Sequence, residues 1–176
     1  MIKIHDKTFV PFISEESIQE TVKTMANRIT QDYKDKNPLF LGVLNGAFIF
    51  LGDLAKQLRL EAEFTFTRLS SYIGTSSTGK VKMKMALEEQ LEGRHLIVVE
   101  DIVDTGKSMK MLFQELNHYH PESIAIASLL LKPGSLQESI HIDYLGFEIP
   151  CKFVVGYGLD YEGLGRNLPE IYQLRD

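Results

Sequence analysis

A chain of 176 residues is the size of one domain, and its 44% hydrophobic and 24% charged residues are those of an ordinary globular protein. The net charge of −5 excludes a broad electrostatic footprint for nucleic acid, though not a local basic pocket. The single cysteine, Cys151, excludes an intrachain disulfide and fits a reducing compartment.

Lying after Pro150 and before the apolar run Phe153-Val154-Val155, Cys151 reads as a buried structural thiol. The opening residues, MIKIHDKTFVPF, hold no apolar core long enough for a signal peptide. No window reaches the roughly 18 apolar residues of a membrane span. A cytoplasmic protein is expected.

Ser14 is placed to cap a first helix, with Glu15 and Glu16 at its positive end. Ile18, Val22, Met25 and Ile29 follow at helical spacing, as a buried stripe should. Pro38 to Leu44 (PLFLGVL) reads as a buried strand broken by Asn45-Gly46, and Ala47 to Leu58 as a helix. Glu61 to Arg68 (EAEFTFTR) alternates like a half-buried strand. Ser70 to Lys80 (SSYIGTSSTGK) is a small, polar, glycine-bearing loop. Because Val81 to Met85 alternates again, that loop is expected to join two antiparallel strands. Leu96 to Glu100 is a further buried strand and Ser108 to Tyr119 a helix, with strands again at Ser123 to Leu131 and Lys152 to Gly156.

Strands alternating with helices imply an α/β fold, a mostly parallel central sheet flanked by helices, in one domain over residues 1–176. Ligands of such sheets bind outside the carboxyl ends of the strands. Glu100-Asp101, Asn45-Gly46 and Lys132 all fall at expected strand ends.

The stretch LIVVEDIVDTGKSM, Leu96 to Met109, carries the chemistry. DTGKS suggests a nucleoside-triphosphate loop, GxxxxGK[ST]. Five positions before Gly106, however, stands Asp101, where the backbone of that loop must wrap phosphate. Thr105 to Ser108 still joins a strand to a helix N-terminus, where free amides and the helix dipole favour an anion. Gly106 permits close approach, and Thr105 and Ser108 can donate hydroxyl hydrogen bonds. One monophosphate suits so short a turn. Glu100, Asp101 and Asp104 then need other partners on the same ligand. Ribose hydroxyls can donate to a carboxylate, and Mg²⁺ prefers carboxylate, water and phosphate oxygens.

VVEDIVDTGKSM closely resembles the motif by which the purine phosphoribosyltransferases bind 5-phosphoribosyl 1-diphosphate (PRPP). The match is closest to the hypoxanthine-guanine branch and extends in order from about Leu39 to Arg166. The resemblance implies the type I phosphoribosyltransferase fold, with a small hood and a mobile antiparallel lid loop. It implies transfer of the 5-phosphoribosyl group to N9 of a 6-oxopurine, with Mg²⁺, in purine salvage. Glu100 and Asp101 would face the ribose hydroxyls and the metal. Asp104 would be the general base near N7, and Asp104, Thr105, Gly106, Lys107 and Ser108 would cradle the 5′-phosphate.

LGVLNG, Leu41 to Gly46, resembles the family's pyrophosphate loop, although lysine is common where Asn45 stands. Asn45 and Gly46 would offer amides to the diphosphate, and a non-proline cis peptide is expected at Leu44–Asn45. Ser71 and Tyr72 would belong to the lid. Lys132 would donate to the exocyclic oxygen of the base, a role that suits a donor-only side chain. In KFVVGYGLDYEGLGR, Phe153 would stack on the purine and Val154 would meet its edge. Asp160 would bind a second Mg²⁺, and Arg166 the diphosphate. The same segment superficially suggests a dinucleotide GxGxxG, but Tyr161 occupies the place of the last glycine. The resemblance also implies a homodimer or homotetramer. Two alternatives remain: a preference for xanthine, and a PRPP- or nucleotide-sensing, RNA-binding regulator on the same fold.

Overall fold

A computed structural model describes residues 1–70, 82–83 and 90–175. Six strands form the central sheet in the order β5-β4-β3-β6-β7-β8. These are β3 (Leu39–Leu44), β4 (Glu63–Ser70), β5 (Lys82–Met83), β6 (His95–Val103), β7 (Ser123–Leu131) and β8 (Tyr144–Glu148). Five run parallel, and β5 pairs antiparallel with β4. This bears out the expected mostly parallel α/β sheet, and the antiparallel pairing expected across the loop after Ser70.

Helix α1 (Glu15–Asp32) begins as its sequence dictates. Ser14 accepts a hydrogen bond from the Ser17 amide, and Ile18, Val22, Met25 and Ile29 are buried. With α2 (Phe48–Gln57) it covers one face of the sheet, while α3 (Lys107–Asn117) buries Met109, Leu112 and Leu116 on the other. No helix among the described residues is long and apolar enough to cross a membrane.

A second sheet forms the small hood that the resemblance implied. It is antiparallel, in the order β1-β2-β10-β9, from β1 (Ile2–Ile4), β2 (Lys7–Ile13), β9 (Val154–Val155) and β10 (Ile171–Leu174). Its strands β1, β2 and β10 were not read from the sequence. Val154, Tyr157, Leu159 and Ile171 from this region share one apolar core with Phe50, Leu54, Ile97 and Val99. The small sheet is therefore built onto the carboxyl end of the large one rather than tethered to it.

Three local readings change. β6 does not stop at Glu100 but continues through Asp101 to Val103, so the two acids belong to the strand itself. In β4 the alternation is present, but its faces are the reverse of the usual rule: Thr67 is fully buried, while Phe64 and Phe66 are 43% and 37% exposed. Helix α2 packs over β3 and β6 and leaves that flank of β4 open. Finally, Cys151 is exposed, not buried. Only Ile149 and Val154, on either side of it, turn inward, and its sulfur accepts from the Ser135 hydroxyl at 3.1 Å.

Candidate active site

β6 delivers the acids. Asp101 is 9% exposed; its Oδ1 accepts from the Ile102 amide at 2.8 Å, and its other oxygen lies against Gly46. Next to it, Glu100 Oε2 is sealed from solvent with no partner among the described residues. Burial, reinforced by the charge of Asp101, pushes the Glu100 carboxyl well above its ordinary range. Burial also raises Asp101, against the lowering effect of its hydrogen bonds and of the Arg166 charge. A buried carboxylate oxygen without a donor is costly unless something positive completes it.

That donor set fits a hard divalent cation. Magnesium takes one or two protein carboxylates and fills its remaining positions with water and substrate oxygens. No cluster of three or more metal-ligating side chains exists among the described residues.

The pyrophosphate-type loop leaves β3 at Leu44. The Leu44–Asn45 peptide is cis, as the resemblance implied. Asn45 is exposed and Gly46 buried. A Cβ at position 46 would overlap the Asp101 carboxylate, and one at position 158 would overlap the Gly46 carbonyl oxygen. Three chain segments thus meet with nothing but backbone and one carboxylate between them.

After β6 the chain passes Asp104 and Thr105 and enters α3 through Gly106, at φ +80. The N-cap residue, Gly106, has no side chain to cap this helix, the Lys107 amide makes only a long hydrogen bond to Thr105 Oγ1 at 3.4 Å, and the first turn holds no acid. The turn is braced from below: the amides of Gln137 and Glu138 donate to the Thr105 carbonyl at 3.0 and 3.3 Å. Lys107 and Ser108 are exposed at the mouth of the turn. A helix start whose first-turn amides are so weakly engaged is a geometry suited to an anion.

A cleft of about 210 Å³ collects the remaining candidates: Asp101, Asp104, Lys132, Phe153, Val154, Asp160 and Arg166. Ile102 and Leu159 also line it; in the sequence they are indistinguishable from core residues. Lys132, leaving β7, donates to Asp104 Oδ2 at 3.1 Å, so the acceptor and the donor meet on one wall. Phe153, 44% exposed, lies on the same cleft just before β9.

Both oxygens of Asp160 are engaged. Oδ1 pairs with the Arg166 guanidinium at 2.6 Å, and Oδ2 accepts from the Gly163 amide at 2.7 Å. Arg166 also donates to the Gly158 carbonyl at 2.7 Å. Ser71 and Tyr72 lie outside the described residues.

Comparison with known proteins extends this picture over nearly the whole chain. The phosphoribosyl transferase domain family model matches residues 14–162. A hypoxanthine-guanine phosphoribosyltransferase of Bacillus subtilis is 43% identical over 164 residues, which are 93% of this chain and 91% of that protein. A Dictyostelium discoideum protein of the same description is 39% identical over 168 residues, 93% of both chains. The crystal structure of a Staphylococcus aureus hypoxanthine phosphoribosyltransferase superposes with a TM-score of 0.90 at 37% identity, covering 97% of this chain and 94% of that one.

Proposed function

The chain belongs to the phosphoribosyl transferase domain family, and from that membership we propose that it transfers the 5-phosphoribosyl group of PRPP to N9 of a 6-oxopurine. Hypoxanthine is the first substrate and guanine the second, and the products are the nucleoside 5′-monophosphate and diphosphate. The role is purine salvage. Residues 1–176 act as one catalytic unit, a reading supported by the apolar cluster to which both sheets contribute.

The observation that carries the substrate class is the Lys132–Asp104 pair at 3.1 Å beside an exposed phenyl ring. O6 and N7 are neighbours on one edge of an oxopurine. An ammonium donor and a carboxylate acceptor, held side by side, complement that edge. The amino group of adenine would instead confront a donor with a donor. Phe153 offers a stacking face, and the backbone of Val154 a polar edge.

Asp104 takes the N7 proton as N9 forms its bond to the anomeric carbon and the bond from that carbon to diphosphate breaks. Thr105, Gly106, Lys107 and Ser108 hold the 5′-phosphate on the α3 amides. Asn45, Gly46 and Arg166 receive the diphosphate. Glu100 and Asp101 would hold Mg²⁺, whose contribution is to offset the charge of the leaving diphosphate. Asp160 would join a second ion through the oxygen positions that Arg166 and the Gly163 amide leave open. Ser71 and Tyr72 would close over the reacting centre and exclude water.

The partner is a second copy of the chain, as a homodimer or a pair of dimers. Phe64 and Phe66 on the open flank of β4, and Phe48 at the start of α2, are the support for this reading. We place the enzyme in the cytoplasm, where the exposed Cys151 thiol is kept reduced.

The test is base consumption with PRPP and Mg²⁺, run separately with hypoxanthine, guanine, xanthine and adenine. Turnover of hypoxanthine and guanine is expected, with adenine slower by at least roughly a hundredfold. Asp104→Asn should lower kcat by roughly 10²- to 10⁴-fold. Turnover of adenine at a matching rate would remove the Lys132 assignment. An unimpaired variant would remove Asp104 as base. Failure with every purine would remove the enzyme reading.

A further inference from the structure

The stacking face of the cleft is supported from outside the cleft. Phe153 is nearly half exposed, and a ring so placed binds a base well only if it is already held in position. Two aromatic rings meet it. Phe9 of β2 lies 6.3 Å away, tilted by 46°. The Tyr161 ring lies 5.9 Å away at 82°, an edge-to-face contact.

Tyr161 is in turn gripped by three consecutive residues of the β1–β2 hairpin. Its hydroxyl donates to Asp6 Oδ1 at 2.8 Å. The His5 imidazole meets its ring at 5.7 Å and 76°. The Lys7 ammonium sits 5.2 Å from the ring centroid. The Tyr161 backbone is fixed as well, exchanging hydrogen bonds with Leu164 at 2.9 and 3.1 Å. The hydrogen bond to Asp6 pushes the Tyr161 hydroxyl up to about 12 and holds Asp6 below its ordinary value, so the donor and acceptor forms persist across neutral pH. Neither residue lines the cleft.

Tyr161 is half-buried against the Ile4, Phe9 and Val155 cluster, which packs its ring; the polar and cationic contacts from the turn come in addition to that packing. The contacts converge on the ring that backs Phe153, one residue beyond Asp160. We infer that Tyr161, latched by the His5–Lys7 turn, is a positioning residue that fixes the Phe153 ring for the incoming base. The inference rests on the reading of Phe153 as the purine platform. It assigns the N-terminal hairpin a part in base affinity, although the hairpin touches no substrate.

Tyr161→Phe, Asp6→Ala and the double variant separate this role from a merely structural one. Each single change should raise KM for hypoxanthine by about fivefold, the factor expected for one net hydrogen bond, while KM for PRPP and kcat stay within about twofold. The double variant should be no worse than either single one, because both break the same contact. An unchanged hypoxanthine KM in folded variants would overturn the inference. So would additive losses spread equally over both substrates.

A second readout needs no turnover. The chain has no tryptophan, so Phe153→Trp supplies a lone indole at the platform, excited selectively at wavelengths where tyrosine does not absorb. Asp6→Ala in that background should increase its fast local motion in time-resolved anisotropy without altering the thermal unfolding of the protein by more than a few degrees. Identical motion with and without Asp6 would sink the latch. If no oxopurine is consumed by the unaltered protein, the enzyme reading fails, and the anisotropy still decides whether the hairpin holds residue 153.

Discussion

At position 46 there is room for a hydrogen and nothing more. The Asp101 carboxylate fills the space a Cβ would occupy, and the Gly46 carbonyl is itself pressed by Gly158. Gly46→Ala must therefore displace either the acid that would meet ribose and metal or the loop that would meet diphosphate. The expected outcome is a rise of at least roughly tenfold in KM for PRPP with an unchanged KM for hypoxanthine, read from initial rates. An equal rise in both would show that the cleft had distorted as a whole. Part of this scale was legible: Glu100, Asp101 and Asp104 stood out by type and spacing and Lys132 by its strand-end position, whereas Phe153 was singled out only through the family resemblance. What spacing cannot disclose is contact. That Lys132 would lie on Asp104, or that Asp160 would have both oxygens engaged by Arg166 and Gly163, depends on turns whose directions no local pattern encodes. Cys151 was misplaced for the same reason. An apolar run beside a thiol does not say which residue of a bend faces the core.

Among the elements, α1, α2 and the loop after β9, already joined by apolar packing, also share one carboxylate. Asp53 accepts from Gln19 and Tyr157, both at 2.7 Å, and pairs with Lys56 at 2.6 Å. Burial raises its pKa, but these three partners more than offset that and hold it below 3.8. A depressed carboxyl contributes stability that is complete above the unfolded value and is lost as pH falls through the folded one. Asp53→Asn should cost about 1–2 kcal/mol at neutral pH, and in urea unfolding the gap to the unaltered protein should narrow as pH drops below about 3.8. A gap constant down to the acid limb would remove Asp53 from the pH response. The central elements were foreseen because long apolar runs and the Ser14 cap speak for themselves. β1, β2, β8 and β10 were not, since strands of three to seven residues draw their stability from partners far away in the chain. β6 outlasted its apolar run because ladder hydrogen bonds to β7 continue past Glu100 to Val103.

For the whole molecule, the open flank of β4 is the largest departure from what alternation suggested. The pattern identified the strand but could not say that no helix would cover Phe64 and Phe66. If a second copy covers them, Phe64→Asp with Phe66→Asp should give a monomer by light scattering at concentrations where the unaltered chain is a dimer. A species of unchanged mass would place the contact elsewhere. The small sheet has a different kind of consequence. β10 lies between β2 and β9, and Leu174 pairs with Phe9 across almost the full length of the chain. A ribosome releases these partners far apart in time, while β3, α2, β6, α3 and β7 lie between them in the sequence. The parallel sheet and the turn assigned to the phosphate can assemble on the growing chain, whereas the wall that carries Phe153 must wait for β10. During that interval the nascent chain holds the elements assigned to the sugar phosphate and lacks a finished place for the base.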